Sequence, residues 1–140
     1  MTKKTLTALA NDVRMTCQLV SRRVRYESTH ELAPHQVSVL GRLARGPLTP
    51  GELADLERVS APSITRTVNC LVDKGLITRA DNPSDGRSKM LSISPEGRDV
   101  LGRVGHARDD WMVRRLAGLT ADERETLRAA TELLDQVMSQ

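Results

Sequence analysis

The chain has 140 residues, enough for one domain that buries roughly two thirds of its unfolded surface. It contains no Phe, one Trp and one Tyr, so aliphatic side chains must fill the core, and the aromatic stacking platforms of many single-strand and RNA binders are excluded. The net charge of +3 is uneven, because residues 58–89 carry six basic and three acidic side chains, whereas residues 90–140 carry seven basic and nine acidic ones.

The two cysteines, Cys17 and Cys70, lie far apart and form no CxxC pair, so neither a disulfide framework nor a zinc site is indicated. Polar residues interrupt the stretch after Lys3 and Lys4 before an apolar run can form, and no later segment approaches membrane-spanning length. We therefore expect a cytoplasmic protein without a membrane partner.

Apolar residues spaced three or four apart predict a first helix over residues 6–28. They are Leu6, Leu9, Val13, Cys17, Val20 and Val24. Pro34 can open a second helix to about Ala44, where Gly46 and Pro47 end it. Its inward positions are Val37, Leu40, Leu43 and Ala44.

Two short capped helices follow. Thr49 and Glu52 form a capping box that starts a helix with Leu53, Ala54 and Leu56 as its apolar positions. Ser60 is a second N-cap, and the helix that it opens ends near Gly75. The inward side of this helix carries Ile64, Val68, Leu71 and Val72.

The segments 76–80 and 89–93 are short and are separated by turn residues 82–86, which predicts a hairpin. Ser94 then caps a helix to about Ala117, with Val100, Leu101, Val104, Ala107 and Trp111 in register. Thr120 and Glu123 form another capping box. The last helix has Leu127, Ala130, Leu134 and Val137 on one side.

This order predicts a mainly α fold with a small β-hairpin, in one domain over residues 1–140. Two capped short helices followed by a hairpin with a charged tip are typical of a winged helix-turn-helix, here over 34–94. The recognition helix is then 60–74 and the wing 76–94. Residues 6–28 and 95–140 form a separate helical region.

Helical periodicity, with Ile64 taken as inward, predicts which side chains of the recognition helix face outward. They are Pro62, Ser63, Arg66, Asn69, Cys70 and Asp73, with Thr65 and Thr67 at the flanks. Most are small or hydrogen-bonding groups that fit a major groove. Free backbone N–H groups near Ser60 favour a phosphate. Each residue alone is also compatible with an ordinary solvated helix surface.

The wing tip supplies a second candidate contact. Arg87 and Lys89 place two cations on a projecting turn, and Arg87 suits the negative potential of a minor groove. Phosphate would repel Asp81 and Asp85, so we expect these carboxylates to accept hydrogen bonds that support the wing and orient Arg87. A simple surface ion pair is the alternative interpretation.

Several segments together resemble the multiple antibiotic resistance regulator (MarR) family over nearly the whole chain. The segments are Leu53-Ala54 through Val59-Ser60, Ser63-Ile64-Thr65-Arg66, Leu71-Val72, Lys74-Gly75-Leu76-Ile77, Asp81-Asn82-Pro83-Ser84-Asp85-Gly86-Arg87 and Leu91-Ser92-Ile93-Ser94-Pro95-Glu96-Gly97. The resemblance implies a dimer built by the terminal helices, a recognition helix in the major groove, and a wing in the adjacent minor groove. It also implies release from DNA, in many members, by a small aromatic or phenolic ligand bound between the dimer helices and the DNA lobe.

The chain departs from the family pattern at two positions. Arg58 lies in the turn where the family often has glycine. A positive φ is unfavourable for any residue with a side chain. Ala33 before Pro34 is a poor helix cap. Both positions predict local differences in the turn and in the start of the second helix.

A homodimer also follows from the apolar stripes of the terminal helices, because one small lobe cannot cover both. The residues expected at the interface are Leu6, Leu9, Val13, Leu127, Leu134 and Val137. Twofold symmetry would set the two recognition helices about 34–36 Å apart, matching a near-palindromic double-stranded operator. We therefore expect a sequence-specific transcriptional regulator, most simply a repressor.

Four alternatives agree less well with the sequence. A peroxide-sensing branch of the family uses a cysteine in the first helix, where Cys17 lies here, but that branch surrounds its thiol with tyrosines that the lone Tyr26 cannot supply, which favours a buried structural thiol. Neither metal nor cofactor is expected, because His30, Glu31 and His35 lack ligand spacing and His106 stands alone. No catalytic motif is present, so the protein is not expected to be an enzyme. A non-specific architectural DNA protein would usually carry more positive charge.

Overall fold

The computed structural model describes residues 5–140, which form six helices and one two-stranded antiparallel sheet. The elements are α1 (Leu6–Glu27), α2 (Pro34–Leu43), α3 (Pro50–Glu57), α4 (Ala61–Asp73), β1 (Ile77–Asn82), β2 (Asp85–Ile93), α5 (Pro95–Leu116) and α6 (Ala121–Met138). The predicted mainly α fold with one hairpin is confirmed. None of these helices has the length and apolarity needed to cross a membrane.

Local capping explains where the helices begin. The side chains of Thr49, Ser60, Ser94 and Thr120 each accept a hydrogen bond from a backbone N–H of the first turn, as the sequence predicted. The pKa values of Glu52 and Glu123 are lowered, first by the backbone N–H of Thr49 and Thr120 that each carboxylate accepts and then by the hydroxyls of the same residues. Ala33 has no side-chain cap; instead its N–H donates to Gln36 Oε1 at 3.0 Å.

The core lies in the lobe formed by α2, α3, α4, the hairpin and the first half of α5. Its most deeply buried side chains are Leu40, Leu43, Leu53, Leu71, Ile77, Leu91 and Val104. The inward positions predicted for α2 and α4 are largely confirmed, since Val37, Ile64 and Val68 are also buried. Of the apolar positions of α3, Leu53 and Ala54 are buried, whereas Leu56 is 46% exposed.

The hairpin is longer than the sequence predicted. Its strands pair from Ile77 opposite Ile93 out to Asp81 opposite Lys89, and only Pro83 and Ser84 separate β1 from β2. Polar side chains extend the pairing, because Asn82 Nδ2 donates to Ser88 Oγ and Ser84 N donates to Asn82 Oδ1, both at 3.0 Å. Strand pairing at a wing tip does not require apolar residues. The hydrophobic pattern of the sequence therefore underestimated the length of the two strands.

The apolar stripes of α1 and α6 remain uncovered in the single chain, where neither helix has a buried residue. Leu6 is 82% exposed and Val137 52%. Cys17 is exposed as well, so the expectation of a buried structural thiol is wrong for this chain on its own. Within residues 5–140, the stripe is only partly covered, at Val13 and Val24, which are half-buried.

Of the glycines, Gly97 in the first turn of α5 has the least room for a side chain. A Cβ at this position would lie 2.4 Å from the carbonyl oxygen of Leu76 and 2.7 Å from Ile93 Cγ1. Side-chain carbon atoms do not approach a backbone oxygen this closely, so only glycine fits without movement of the chain. The start of α5 is thereby pressed against the base of the wing.

We predict that Gly97→Ala lowers the free energy of unfolding by about 1–3 kcal/mol because the added methyl group overpacks this contact. Gly102→Ala is the matched control on the same helix, where a Cβ meets open space. The control should gain about 0.5–1 kcal/mol from helix propensity. Urea unfolding at one fixed protein concentration measures both; equal stabilisation of the two variants would contradict the close approach.

Candidate nucleic-acid interface

The turn between α3 and α4 is closed by a residue in the left-handed region. Arg58 has φ 55° and ψ 46°, and it is the only non-glycine residue with positive φ among residues 5–140. Val59 N donates to Ala54 O at 3.1 Å, which completes the turn. Arg58 thus adopts a conformation that glycine would take more easily. The packing of the helices on either side offsets the unfavourable backbone conformational energy.

Helix α3 is held against α2 by a half-buried ionic cluster that the sequence analysis did not anticipate. Glu57 accepts hydrogen bonds from Arg42 Nε at 3.0 Å and from Ser38 Oγ at 2.9 Å, and its side chain is only 13% exposed. Arg42 Nη2 also donates to Leu56 O at 3.2 Å. These contacts fix the end of α3 just before the turn that aims α4.

Helix α4 presents most of its predicted outward residues to solvent. Pro62, Thr65, Arg66 and Asn69 are exposed, and Ser63 is half-buried. Two assignments need correction. Thr67, placed at the flank, is buried and its Oγ1 donates to Ser63 O at 3.2 Å; Cys70, placed outward, is half-buried and its sulfur accepts from Gln36 Nε2 at 3.4 Å. Packing of α2 across this edge of α4 covers both.

The outward residues divide between two flanks of α4. Thr65 and Asn69 line a groove between the helix and the wing. The wing side of this groove carries Arg79, Arg87 and Lys89. Ser63 and Arg66 lie on the other flank, in a depression shared with His35 and Gln36 at the start of α2.

Arg79 and His35 were not predicted as part of this surface. Alternation along β1 could have found Arg79, because residues 77, 79 and 81 share one face of the strand and Ile77 is buried against the lobe. No comparable signal exists for His35. Its position depends on how α2 packs beside α4.

The two wing acids are engaged within the wing. Lys89 Nζ donates to Asp81 Oδ1, and this ion pair holds the pKa of the Asp81 carboxyl below its ordinary value. Asp85 Oδ1 accepts from the backbone N–H of Arg87 at 3.0 Å. The Asp81 and Asp85 contacts therefore have the geometry expected of residues that support the wing tip.

The two arginines predicted to contact DNA remain unpaired. Within the described chain, the side chains of Arg66 and Arg87 make no hydrogen bond or ion pair. Both residues are exposed, one beside α2 and the other at the wing. Unpaired arginines on a polar helix and on a projecting hairpin suit contacts with guanine edges and with phosphate.

A second cationic feature lies away from this surface, in a cleft between α1, α2 and α5. Arg25 and Arg108 line it together with the apolar side chains of Val37, Leu101 and Val104. Arg108 Nε is buried and has no hydrogen-bond partner within residues 5–140. The pKa of the Arg108 guanidinium is lowered, first by burial and then by the charge of Arg25.

Comparison with known proteins identifies the family of this chain. The family model described as "MarR family" matches residues 30–88. An HTH-type transcriptional regulator of Mycobacterium bovis is 38% identical over 128 residues, which cover 90% of each chain. This chain belongs to the MarR family.

Further comparisons extend the match to repressors and to solved structures. The HTH-type transcriptional repressor MdtR of Bacillus subtilis is 30% identical, with 91% of this chain and 84% of MdtR covered. A crystal structure of a mutant MarR from E. coli aligns with a TM-score of 0.77 at 27% identity, covering 96% of this chain and 99% of that one. The protein is therefore a DNA-binding transcriptional regulator and not an enzyme, and MarR-family regulators act as dimers.

We predict that Arg58→Gly raises the free energy of unfolding by about 1 kcal/mol, because glycine adopts the left-handed conformation without steric cost. Arg45→Gly is the control, since Arg45 is also an exposed arginine in a turn but has no positive φ. The control should not gain stability, because glycine there only increases the entropy of the unfolded chain. A lower urea midpoint for Arg58→Gly than for wild type would refute the strain argument.

Proposed function

We propose that the protein is a homodimeric repressor that binds a near-palindromic, double-stranded DNA operator with sequence specificity. The observation that carries this proposal is the pair of unengaged arginines: Arg66 on α4 and Arg87 on the wing are exposed, while Asp81 and Asp85 already accept hydrogen bonds within the wing. The lobe, residues 34–94, would meet DNA through α4 in the major groove and the wing in the minor groove.

On α4 the proposed roles follow from position. Ser60 and Pro62, at the start of the helix, would lie against a phosphate that accepts from Ala61 N at the positive end of the helix dipole, since Pro62 has no N–H and Ser63 N already donates to Ser60 Oγ. Arg66 would contact a guanine edge, and Ser63, Thr65 and Asn69 would contact neighbouring base edges. Thr65 donates its own hydroxyl to Ala61 O at 2.9 Å, so it would act toward DNA as an acceptor.

On the wing, Arg87 would enter the minor groove or bind its phosphates. Asp85 would hold the backbone of Arg87 through the N–H contact. Lys89 would contribute less than Arg87, because Asp81 already neutralises it. Asp81 and Asp85 therefore act as support for the wing and not as contacts with DNA.

The dimer is proposed on the uncovered apolar stripes of the terminal helices, residues 6–28 and 95–140. Their interface residues would be Leu6, Leu9, Val13, Leu127, Leu134 and Val137. Leu6, Leu9, Leu127 and Val137 are exposed, whereas Val13 and Leu134 are half-buried. A second copy of the chain would remove these side chains from water at roughly 25 cal/mol per Å². The repressor assignment is supported by MdtR, which is named as a repressor.

The cleft at Arg25 and Arg108 supports a second element of the proposal, a small anionic effector of aromatic or phenolic type. A carboxylate there would give Arg108 Nε a partner and would relieve the repulsion from Arg25. The apolar walls from Val37, Leu101 and Val104 would hold an aromatic ring. Because α1 and α5 belong to the proposed dimer region and α2 to the DNA lobe, occupancy would alter their relative position and release DNA.

We predict that Arg66→Ala weakens binding to the specific operator by about 1–3 kcal/mol and relaxes sequence preference, because a base contact is lost.

Arg87→Ala should weaken binding to specific and scrambled duplexes alike and should reduce the slope of log affinity against log salt. Salt-titrated fluorescence anisotropy with DNA upstream of the protein's own gene measures both effects.

Arg45→Ala is the control for these variants, since Arg45 is an exposed arginine outside both flanks of α4. An equal loss on specific and scrambled DNA would overturn the base-reading role of Arg66. An unchanged salt slope for Arg87→Ala would overturn the wing contact.

We also predict that benzoate or 2-hydroxybenzoate releases the protein from the operator, whereas uncharged benzyl alcohol does so poorly. The reason is that the two guanidinium groups of the cleft favour a ligand that carries a negative charge. Arg108→Gln should raise the benzoate concentration required for release by about tenfold or more, the loss of one charge-assisted contact. Arg98→Gln, an exposed position on the same helix, is the control. Release by benzyl alcohol at the same concentration, or an unaltered response of Arg108→Gln, would contradict the effector site.

A further inference from the structure

The recognition helix and the wing are joined by one side-chain hydrogen bond. Arg79 Nη2, on β1, donates to Asn69 Oδ1 on α4. Among residues 5–140 no other side-chain hydrogen bond links α4 to either strand of the wing. Both residues are exposed on the groove that Thr65 and Arg87 also line. The bond therefore lies within the surface assigned to DNA.

The chemistry of the two side chains determines which way the Asn69 amide points. A guanidinium has five N–H donors and no acceptor, so the Asn69 atom that faces Arg79 must be the amide oxygen. The amide group is planar, and its NH2 must then point away from Arg79. This NH2 has no partner within the described chain.

An asparagine held in this way is restricted in how it meets a base. The common contact with adenine uses both ends of the amide, with the oxygen accepting from N6 and the NH2 donating to N7. Arg79 takes one of the two lone pairs of the Asn69 oxygen and fixes the plane of the amide, so the NH2 is the end of the side chain without a competing partner. A donor alone matches the acceptors of guanine, N7 and O6, and of thymine, O4, and it is mismatched with the exocyclic amino groups of adenine and cytosine.

The position of Arg79 separates it from the other wing cations. It lies opposite Leu91, which is fully buried at the base of the wing, whereas Lys89 is paired with Asp81 further out. The floor of the groove beside it is formed by Ile64 and Val68. Arg79 is thus held close to α4, where it reaches the helix directly, and not at the projecting tip with Arg87.

We propose that Arg79 is a positioning residue that sets the base preference of the recognition helix, by holding Asn69 as a donor that selects guanine or thymine. This inference rests on the proposed function, because it assumes that Asn69 faces a base in the major groove. It makes one side chain of the wing responsible for specificity at a base pair that the wing does not itself contact.

The test uses the full-length protein and a random-sequence duplex pool. Wild type is first used to select a preferred site, and affinity is then measured for that site and for all its single-base substitutions. The same set is measured for Arg79→Ala, Asn69→Ala, the double variant and Asn69→Asp. Thr78→Ala is the matched control, since Thr78 is exposed and adjacent on β1 but is not part of the groove.

We expect Arg79→Ala to reduce discrimination by about tenfold at the same base pair as Asn69→Ala. The double variant should lose no more discrimination there than Asn69→Ala alone, because the two residues act through one contact. Asn69→Asp keeps an acceptor for Arg79 but has no NH2, so its preference should move to a base edge that donates, cytosine or adenine. Thr78→Ala should retain the wild-type preference.

Two results would overturn the inference while leaving the proposed function intact. One is an Arg79→Ala variant that loses affinity by the same factor for every duplex and keeps its base preference, as a simple phosphate contact would. The other is a change of preference at different base pairs for Arg79→Ala and Asn69→Ala. Failure of wild type to select any sequence would instead refute the proposed function, and this inference with it.

Discussion

The arrangement of the molecule depends on one buried hydroxyl, that of Ser94. Its Oγ donates to Gly75 O at 2.6 Å and accepts from Gly97 N at 3.0 Å, while its backbone N donates to Leu76 O at 3.0 Å. The end of α4, the end of the wing and the first turn of α5 therefore meet at one residue. Gly97 allows a close backbone approach at the same place, so these three elements are packed tightly together.

Helix α5 connects the DNA lobe to the terminal helices. Its first half is buried in the lobe through Val100 and Val104, and its second half carries Trp111, 5% exposed, against α1. The Arg115 guanidinium stacks 3.3 Å from the centre of the Trp111 ring, with Arg23 of α1 at 5.5 Å. In the proposed dimer, a ligand at Arg25 and Arg108 would sit between these two anchorages. A small rotation there would change the spacing of both recognition helices, since symmetry applies it twice.

Local sequence signals predicted those parts of the fold that local chemistry determines. The caps at Thr49, Ser60, Ser94 and Thr120 need only residues within one helical turn, and hydrophobic period alone identifies the core faces of α2 and α4. Periodicity gives the direction of a side chain but not whether another element covers it. For this reason Thr67 was placed toward solvent, although α2 packs across it.

Contacts between residues distant in sequence were beyond these signals. Two such contacts, Arg42 with Glu57 and Arg79 with Asn69, each depend on how two elements pack together. The burial of the unpartnered Arg108 Nε depends on the packing of three helices. Cys17 illustrates the converse limit: apolar spacing predicted helix α1, but Cys17 is exposed in the single chain, and its burial depends on the proposed dimer. The candidate site was thus predictable in its elements, in its exposed arginines and in the support of the wing by Asp81 and Asp85, but not in the contacts between helices or between helix and wing.

The pairing of charges also explains how a net charge of only +3 is compatible with DNA binding. Glu31 is engaged by Arg103 and Glu57 by Arg42, whereas Arg66 and Arg87 have no acidic partner within the described residues. Non-specific affinity for DNA is mainly electrostatic and rises with the number of phosphates neutralised. A modest net charge would keep that background low, so that in the proposed dimer most of the affinity would depend on correct spacing of the two lobes. A modest change in the geometry of that dimer would then be enough to release the operator.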